Sequence, residues 1–149
     1  MGGVFAHPGD TVILGATVRS ILLVDDEPEF SQMTRQILES AGYTVACAAD
    51  GLEAVQLLAR ESFDLLLTDL LMPNRDGLEL IGTVHKDYPG LRIIAMSGGG
   101  HMSADMYLQM ARGFNVDGLL HKPFNPQELL SAVRAIETRA MLPCAPCSV

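Results

Sequence analysis

Four places in the 149-residue sequence set a charged or nucleophilic side chain just after a short apolar run. Ile21-Leu22-Leu23-Val24 leads into Asp25 and Asp26, and Leu65-Leu66-Leu67-Thr68 leads into Asp69. Ser97 follows the run that ends at Met96, and Lys122 follows Leu119, Leu120 and His121. Two carboxylates about 4 Å apart repel by about 4 kcal/mol at an effective dielectric of about 20, so a convergent set needs a proton, a metal or an ammonium. A partly solvated set of oxygen ligands suits Mg²⁺, which takes one or two carboxylates and keeps water that a phosphate can replace. Phosphoryl transfer asks a protein mainly for positioning and charge stabilisation. A metal, the Lys122 ammonium and the Ser97 hydroxyl would serve that chemistry around Asp69.

Groups so far apart in sequence meet only if the runs before them lie side by side. Runs this short, bounded by turn residues, suit strands buried on both faces of a parallel sheet. Such a sheet collects its functional groups beyond the carboxyl ends of its strands. The intervening segments read as helices. Phe30, Met33, Ile37, Leu38 and Ala41 recur at helical spacing, and Gly42 follows as a C-cap. Thr44–Ala48 reads as a second strand, and Asp50 with Glu53 forms a capping box for a helix through Leu52, Val55, Leu58 and Ala59.

A third helix is expected from Asp76 to about Lys86, and a fourth strand over Leu91–Met96. The glycines 98–100 make a pliable loop before a fourth helix, expected from about Ser103 through Tyr107, Met110, Ala111 and Phe114. Asn125, Pro126 and Glu128 supply an N-cap, an N1 proline and an N3 acid to a last helix with Leu129, Val133 and Ile136 on its apolar stripe. Five β–α units imply an α/β fold, a doubly wound parallel sheet with helices on both faces. Residues 1–18 read as an N-terminal extension, 19–139 as the domain and 140–149 as a flexible C-terminal tail.

Composition narrows the function. Ten Lys and Arg against eighteen Asp and Glu give a net charge of -8, with no dense basic patch. Direct nucleic-acid binding is not expected on that balance. No apolar stretch approaches a membrane span of about 20 residues, and the first residues lack the pattern of a secretory signal. Three cysteines fit a reducing, cytoplasmic setting. Cys144 and Cys147 read as incidental thiols and Cys47 as a small apolar strand residue. His101 and His121, near the expected site, read as solvated or packing side chains.

Together, Asp25-Asp26, Asp69 with Leu70-Leu71-Met72-Pro73 and Asp76-Gly77, Ser97, and Lys122-Pro123-Phe124 resemble the receiver domain of two-component response regulators, as in CheY-like proteins. Each motif alone is common; their order and strand positions are specific. The resemblance covers about Ser20 to Arg139 and implies a flavodoxin-like (βα)5 fold with strand order 2-1-3-4-5. It implies that Asp69 is the phosphoacceptor, taking a phosphoryl group from a histidine kinase or phosphotransfer protein. Asp26, Asp69 and the Leu71 carbonyl would bind Mg²⁺ directly and Asp25 largely through water. Ser97, the Gly98 backbone N–H and Lys122 would contact the phosphoryl group.

Two positions depart from the family pattern. Leu119 stands where the family usually carries a switch aromatic, and the loop from Ser97 to His101 is slightly long. The resemblance also implies that the residues two past the phosphorylated Asp and two past the hydroxyl residue affect attack by water. Here these are Leu71 and Gly99, neither of which can orient a water with its side chain, so slow self-dephosphorylation is expected.

The expectation is therefore a stand-alone receiver domain, a phosphoacceptor rather than an enzyme, acting on an unknown downstream protein through the fourth-helix, fifth-strand and fifth-helix face. A homodimer formed on phosphorylation is also admitted. The alternatives are a phosphate sink or relay, and a binding module that works unphosphorylated. An aspartyl-phosphate phosphohydrolase would place its nucleophile in an Asp-x-Asp pattern after the first strand and carry a cap, and this sequence has neither. A flavodoxin-like cofactor binder would need a hydroxyl- and glycine-rich loop where Asp25-Asp26-Glu27 stands.

Overall fold

Successive residues of a strand point to opposite faces of its sheet, so an unbroken apolar run needs a core on each side. The computed structural model, which describes residues 18–70, 77–98, 109, 112–113 and 115–141, has that arrangement. Five strands form it: β1 (Ser20–Val24), β2 (Thr44–Ala48), β3 (Leu65–Asp69), β4 (Arg92–Ser97) and β5 (Gly118–His121). They make one sheet in the order β2-β1-β3-β4-β5, with every neighbouring pair parallel. Four helices are described: α1 (Pro28–Ser40), α2 (Gly51–Arg60), α3 (Gly77–Asp87) and α4 (Pro126–Met141).

The strand residues divide by parity. Leu22, Val24, Leu66, Ile93 and Ala95 pack with Ala54 and Leu58 of α2 and Leu80, Ile81 and Val84 of α3. Ile21, Leu23, Leu65, Leu67, Ile94 and Met96 pack with Leu38 of α1 and Leu129, Val133 and Ile136 of α4. The expected fold class and strand order are thus the ones observed.

Local signals set most boundaries. Gly42, at φ 103°, closes α1. Its N–H donates to the Glu39 carbonyl and that of Tyr43 to Leu38, a Schellman arrangement that satisfies two terminal carbonyls. At the start of α4, Glu128 N–H donates to Asn125 Oδ1 and Asn125 N–H to Glu128 Oε1, a reciprocal capping box. The α2 box is displaced on one side: Glu53 N–H donates to Asp50 Oδ1, while Glu53 Oε1 accepts from Ala49.

Two expected stripes differ in detail. On α1 the buried residues are Ser31, Thr34 and Leu38, whereas Met33 is 47% exposed. On α2 they are Gly51, Ala54 and Leu58, and Leu52 is 54% exposed. Each buried set combines small residues with one leucine, Leu38 or Leu58, while Met33 and Leu52 stay exposed. β4 is shifted by one residue, so Ser97 is its last member. The expected fourth helix lies outside the described residues apart from 109, 112 and 113, which are helical. Residues 1–17 and 142–149 lie outside them as well.

Candidate functional site

β1, β3, β4 and β5 all end at the same edge of the sheet, and that edge carries the candidate residues. Val24 registers with Thr68, which brings Asp25 beside Asp69. Ser97 registers with His121, and Lys122 is the next residue, joined to Pro123 by a cis peptide bond. β3 and β5 stand about 10 Å apart with β4 between them, a gap that only a long cationic side chain crosses. The Lys122 stem passes beside Gly98, where an added Cβ would lie 3.9 Å from its Cδ.

Lys122 Nζ donates to Asp25 Oδ2 at 2.7 Å and to Asp69 Oδ2 at 3.0 Å. Glu27 Oε1, on an exposed side chain, is 3.9 Å away. The Asp25 side chain has no solvent exposure, and those of Lys122 and Asp69 have 13% and 12%. Burial works to lower the Lys122 pKa, but the hydrogen bond to Asp25 and the charge of Asp69 outweigh it and hold the ammonium above its ordinary value.

Asp25 is engaged at both oxygens, since Oδ1 accepts from the Glu27 N–H at 2.9 Å. Asp26 is exposed. One carboxylate oxygen from each of Asp25, Asp26 and Asp69 lies within 4.8 Å of the others. Three carboxylates facing one ammonium leave an excess of negative charge, and an all-oxygen donor set fits a hard divalent cation.

Other contacts at this edge were not legible in the sequence. The Phe30 ring of α1 lies beneath Lys122, with Nζ 4.1 Å from its centroid, and meets Phe124 edge-on at 5.4 Å. A cation held over an aromatic face gains electrostatic energy from the ring quadrupole. Ser97, 1% exposed, has its Oγ 3.1 Å from Nδ1 of the exposed His121. His121 is therefore more than a solvated neighbour of the site. Gly77, where α3 begins, donates its N–H to the Leu70 carbonyl, and a Cβ there would collide with the Asp69 backbone oxygen.

The structure thus brings together Asp25, Asp26, Asp69, Ser97 and Lys122. Gly98 closes the same edge, and Leu119 packs half-buried against the α2–α3 core. Leu71 and Gly99 fall outside the described residues, as do His101, Cys144 and Cys147. Cys47 is half-buried in β2, where burial pushes its thiol pKa up.

A five-stranded 2-1-3-4-5 sheet with an acidic cluster and a lysine at its carboxyl edge defines a class of signalling phosphoacceptor. A family profile described as "Response regulator receiver domain" matches residues 21–134, and the chain belongs to that family. It is therefore a receiver domain of two-component signalling, a family phosphorylated on aspartate. The chain is 33% identical over 123 residues to the transcriptional regulatory protein CpxR of Escherichia coli (strain K12), an overlap of 83% of this chain and 51% of that protein. It spans about half the length of the curated relatives it matches.

Among solved structures, it resembles a CheY-like receiver domain protein from Methanospirillum hungatei JF-1. The TM-score is 0.74 at 31% identity, covering 83% of this chain and 97% of that one. Chemotaxis response regulator CheY4 of Vibrio cholerae matches with a TM-score of 0.73 at 31% identity, over 80% and 99% of the two chains. No helix among the described residues is long and apolar enough to cross a membrane.

Proposed function

We infer that Asp69 is the phosphoacceptor of this receiver and that Lys122 is the cation that orients and neutralises it. The observation that carries this reading is the pair of bonds from Lys122 Nζ to Asp25 and Asp69, at 2.7 and 3.0 Å. A carboxylate oxygen of Asp69 attacks phosphorus, and the O–P bond forms as the N–P bond of a phosphohistidine breaks. The departing imidazole keeps the bonding pair. The donor is a histidine kinase or a phosphotransfer protein, and an acyl phosphate is left on Asp69.

Charge on the transferring group grows where Lys122, the Ser97 hydroxyl and the Gly98 N–H can meet it. Asp26 and Asp69, with the Leu71 carbonyl, would hold Mg²⁺, and Asp25 would act through water. When bound, the metal neutralises oxygens of the carboxylates and of the incoming phosphoryl group. Both Asp25 oxygens already have protein partners, which supports the indirect role. Leu71 and Gly99 offer no side chain to orient an attacking water, so self-dephosphorylation is slow.

Residues 19–139 act as the receiver unit and signal through protein contacts, as a phosphoacceptor that loses its phosphoryl group only slowly by itself. Incubation of the full chain with Mg²⁺ and acetyl phosphate, followed by intact mass, tests the assignment. One phosphoryl adduct is expected in wild type and none in Asp69→Asn. An equal adduct in Asp69→Asn, or none in wild type, overturns it.

A further inference from the structure

Ser97 and His121 are direct cross-strand partners in the parallel β4–β5 ladder, and their side chains meet at 3.1 Å. The ladder places Ala95 opposite Leu119 two residues earlier. Strand side chains alternate, so Ser97 and His121 lie on the same sheet face as Ala95 and Leu119, one step nearer the site. Leu119 occupies the position where receivers usually carry a switch aromatic, and it packs against the α2–α3 core. Its aliphatic side chain has no polar atom with which to follow the Ser97 hydroxyl. The imidazole of His121 has one, already in contact with it, on a side chain that is exposed.

We propose that His121 is the positioning residue of Ser97 and the outward reporter of the phosphorylated state, in place of an aromatic at position 119. The proposal rests on Ser97 as a phosphoryl contact, as read above. A serine hydroxyl has one proton to give. With His121 in the tautomer that carries its proton on Nε2, which the proposal requires, the hydroxyl donates to Nδ1 and cannot also donate to a phosphoryl oxygen. Phosphorylation of Asp69 draws that proton to the more strongly accepting anionic oxygen, because charge-assisted hydrogen bonds are about twice as strong as neutral ones. Nδ1 is then released, and the ring reorients at the surface of β5. The imidazole acts as a latch on the hydroxyl before phosphorylation and as a signal afterwards.

The test uses the full chain with Mg²⁺ and acetyl phosphate, following adduct formation by intact mass and the His121 ring nitrogens by NMR. On phosphorylation the Nδ1 resonance is expected to move from hydrogen-bonded acceptor to free acceptor. His121→Ala is expected to phosphorylate about fivefold faster, the ratio to which one net protein hydrogen bond corresponds. His121→Asn, whose amide oxygen falls near the Nδ1 position, is expected to return the rate toward wild type. In a Ser97→Ala background, His121→Ala is expected to have no further effect. A gain that persists in that background overturns the latch. So does an Nδ1 resonance unmoved in a chain that does carry the adduct, and this leaves the phosphoacceptor reading standing. No adduct in wild type overturns both.

Discussion

Replacing Lys122 by methionine removes the ammonium while keeping most of the stem that packs beside Gly98 and Phe30. The buried Asp25 carboxylate then loses its 2.7 Å partner and Asp69 its 3.0 Å partner. Removing one member of a buried ion pair costs about 3–5 kcal/mol, and the partial solvent access of Lys122 and Asp69 reduces this to about 2–4 kcal/mol. For a domain of about 120 residues, that loss lowers Tm by roughly 10 °C. Mg²⁺ held at the acidic cluster would neutralise the same carboxylates, so it is expected to raise the Tm of Lys122→Met by more than that of wild type.

The pH dependence has a definite sign. The folded pKa of Lys122 is raised, so its stabilisation is complete below the unfolded value near 10.5 and is lost as pH rises through the folded value. The gap between wild type and variant is therefore constant from neutral pH to about 10 and narrows above it. Thermal melts by circular dichroism, with and without Mg²⁺ and across that pH range, measure all three quantities. Equal melting of the two proteins at pH 7, or an equal Mg²⁺ increment in both, refutes the reasoning.

Gly77→Ala drives a Cβ into the Asp69 carbonyl oxygen, so the Asp69 backbone must shift. A loss of about 2–3 kcal/mol in urea unfolding and slower adduct formation are expected together. Asp50→Ala removes the N-cap of α2, whose Oδ1 accepts from the Glu53 N–H at 2.9 Å. It is expected to cost about 1 kcal/mol in the same unfolding assay and to leave adduct formation unchanged, since none of Asp25, Asp26, Asp69, Ser97 and Lys122 lies on α2.

Much of the fold is written in local chemistry. An unbroken run such as Leu65-Leu66-Leu67 demands apolar surroundings on both faces, and Gly42, Asn125 and Pro126 end or start helices by backbone and capping preferences. The stripes of α1 and α2 were less legible. Periodicity marks where apolar residues fall, but the buried face also takes small or polar side chains such as Ser31, Thr34 and Ala54, which an apolar stripe does not flag.

The sequence by itself determined that Asp25, Asp26, Asp69, Ser97 and Lys122 stand at strand ends, because each follows a run whose hydrophobicity fixes a strand. It also determined that these charges need one another, since carboxylates at the end of a buried run are costly alone. Only the tertiary structure decided which atoms meet. Lys122 bridges Asp25 and Asp69 across 97 and 53 positions of sequence, over the Phe30 ring. His121 faces Ser97 because β5 is added to β4 in a register that pairs those two residues. Strand order and register are set by the packing of both cores at once, and no local window of sequence contains them.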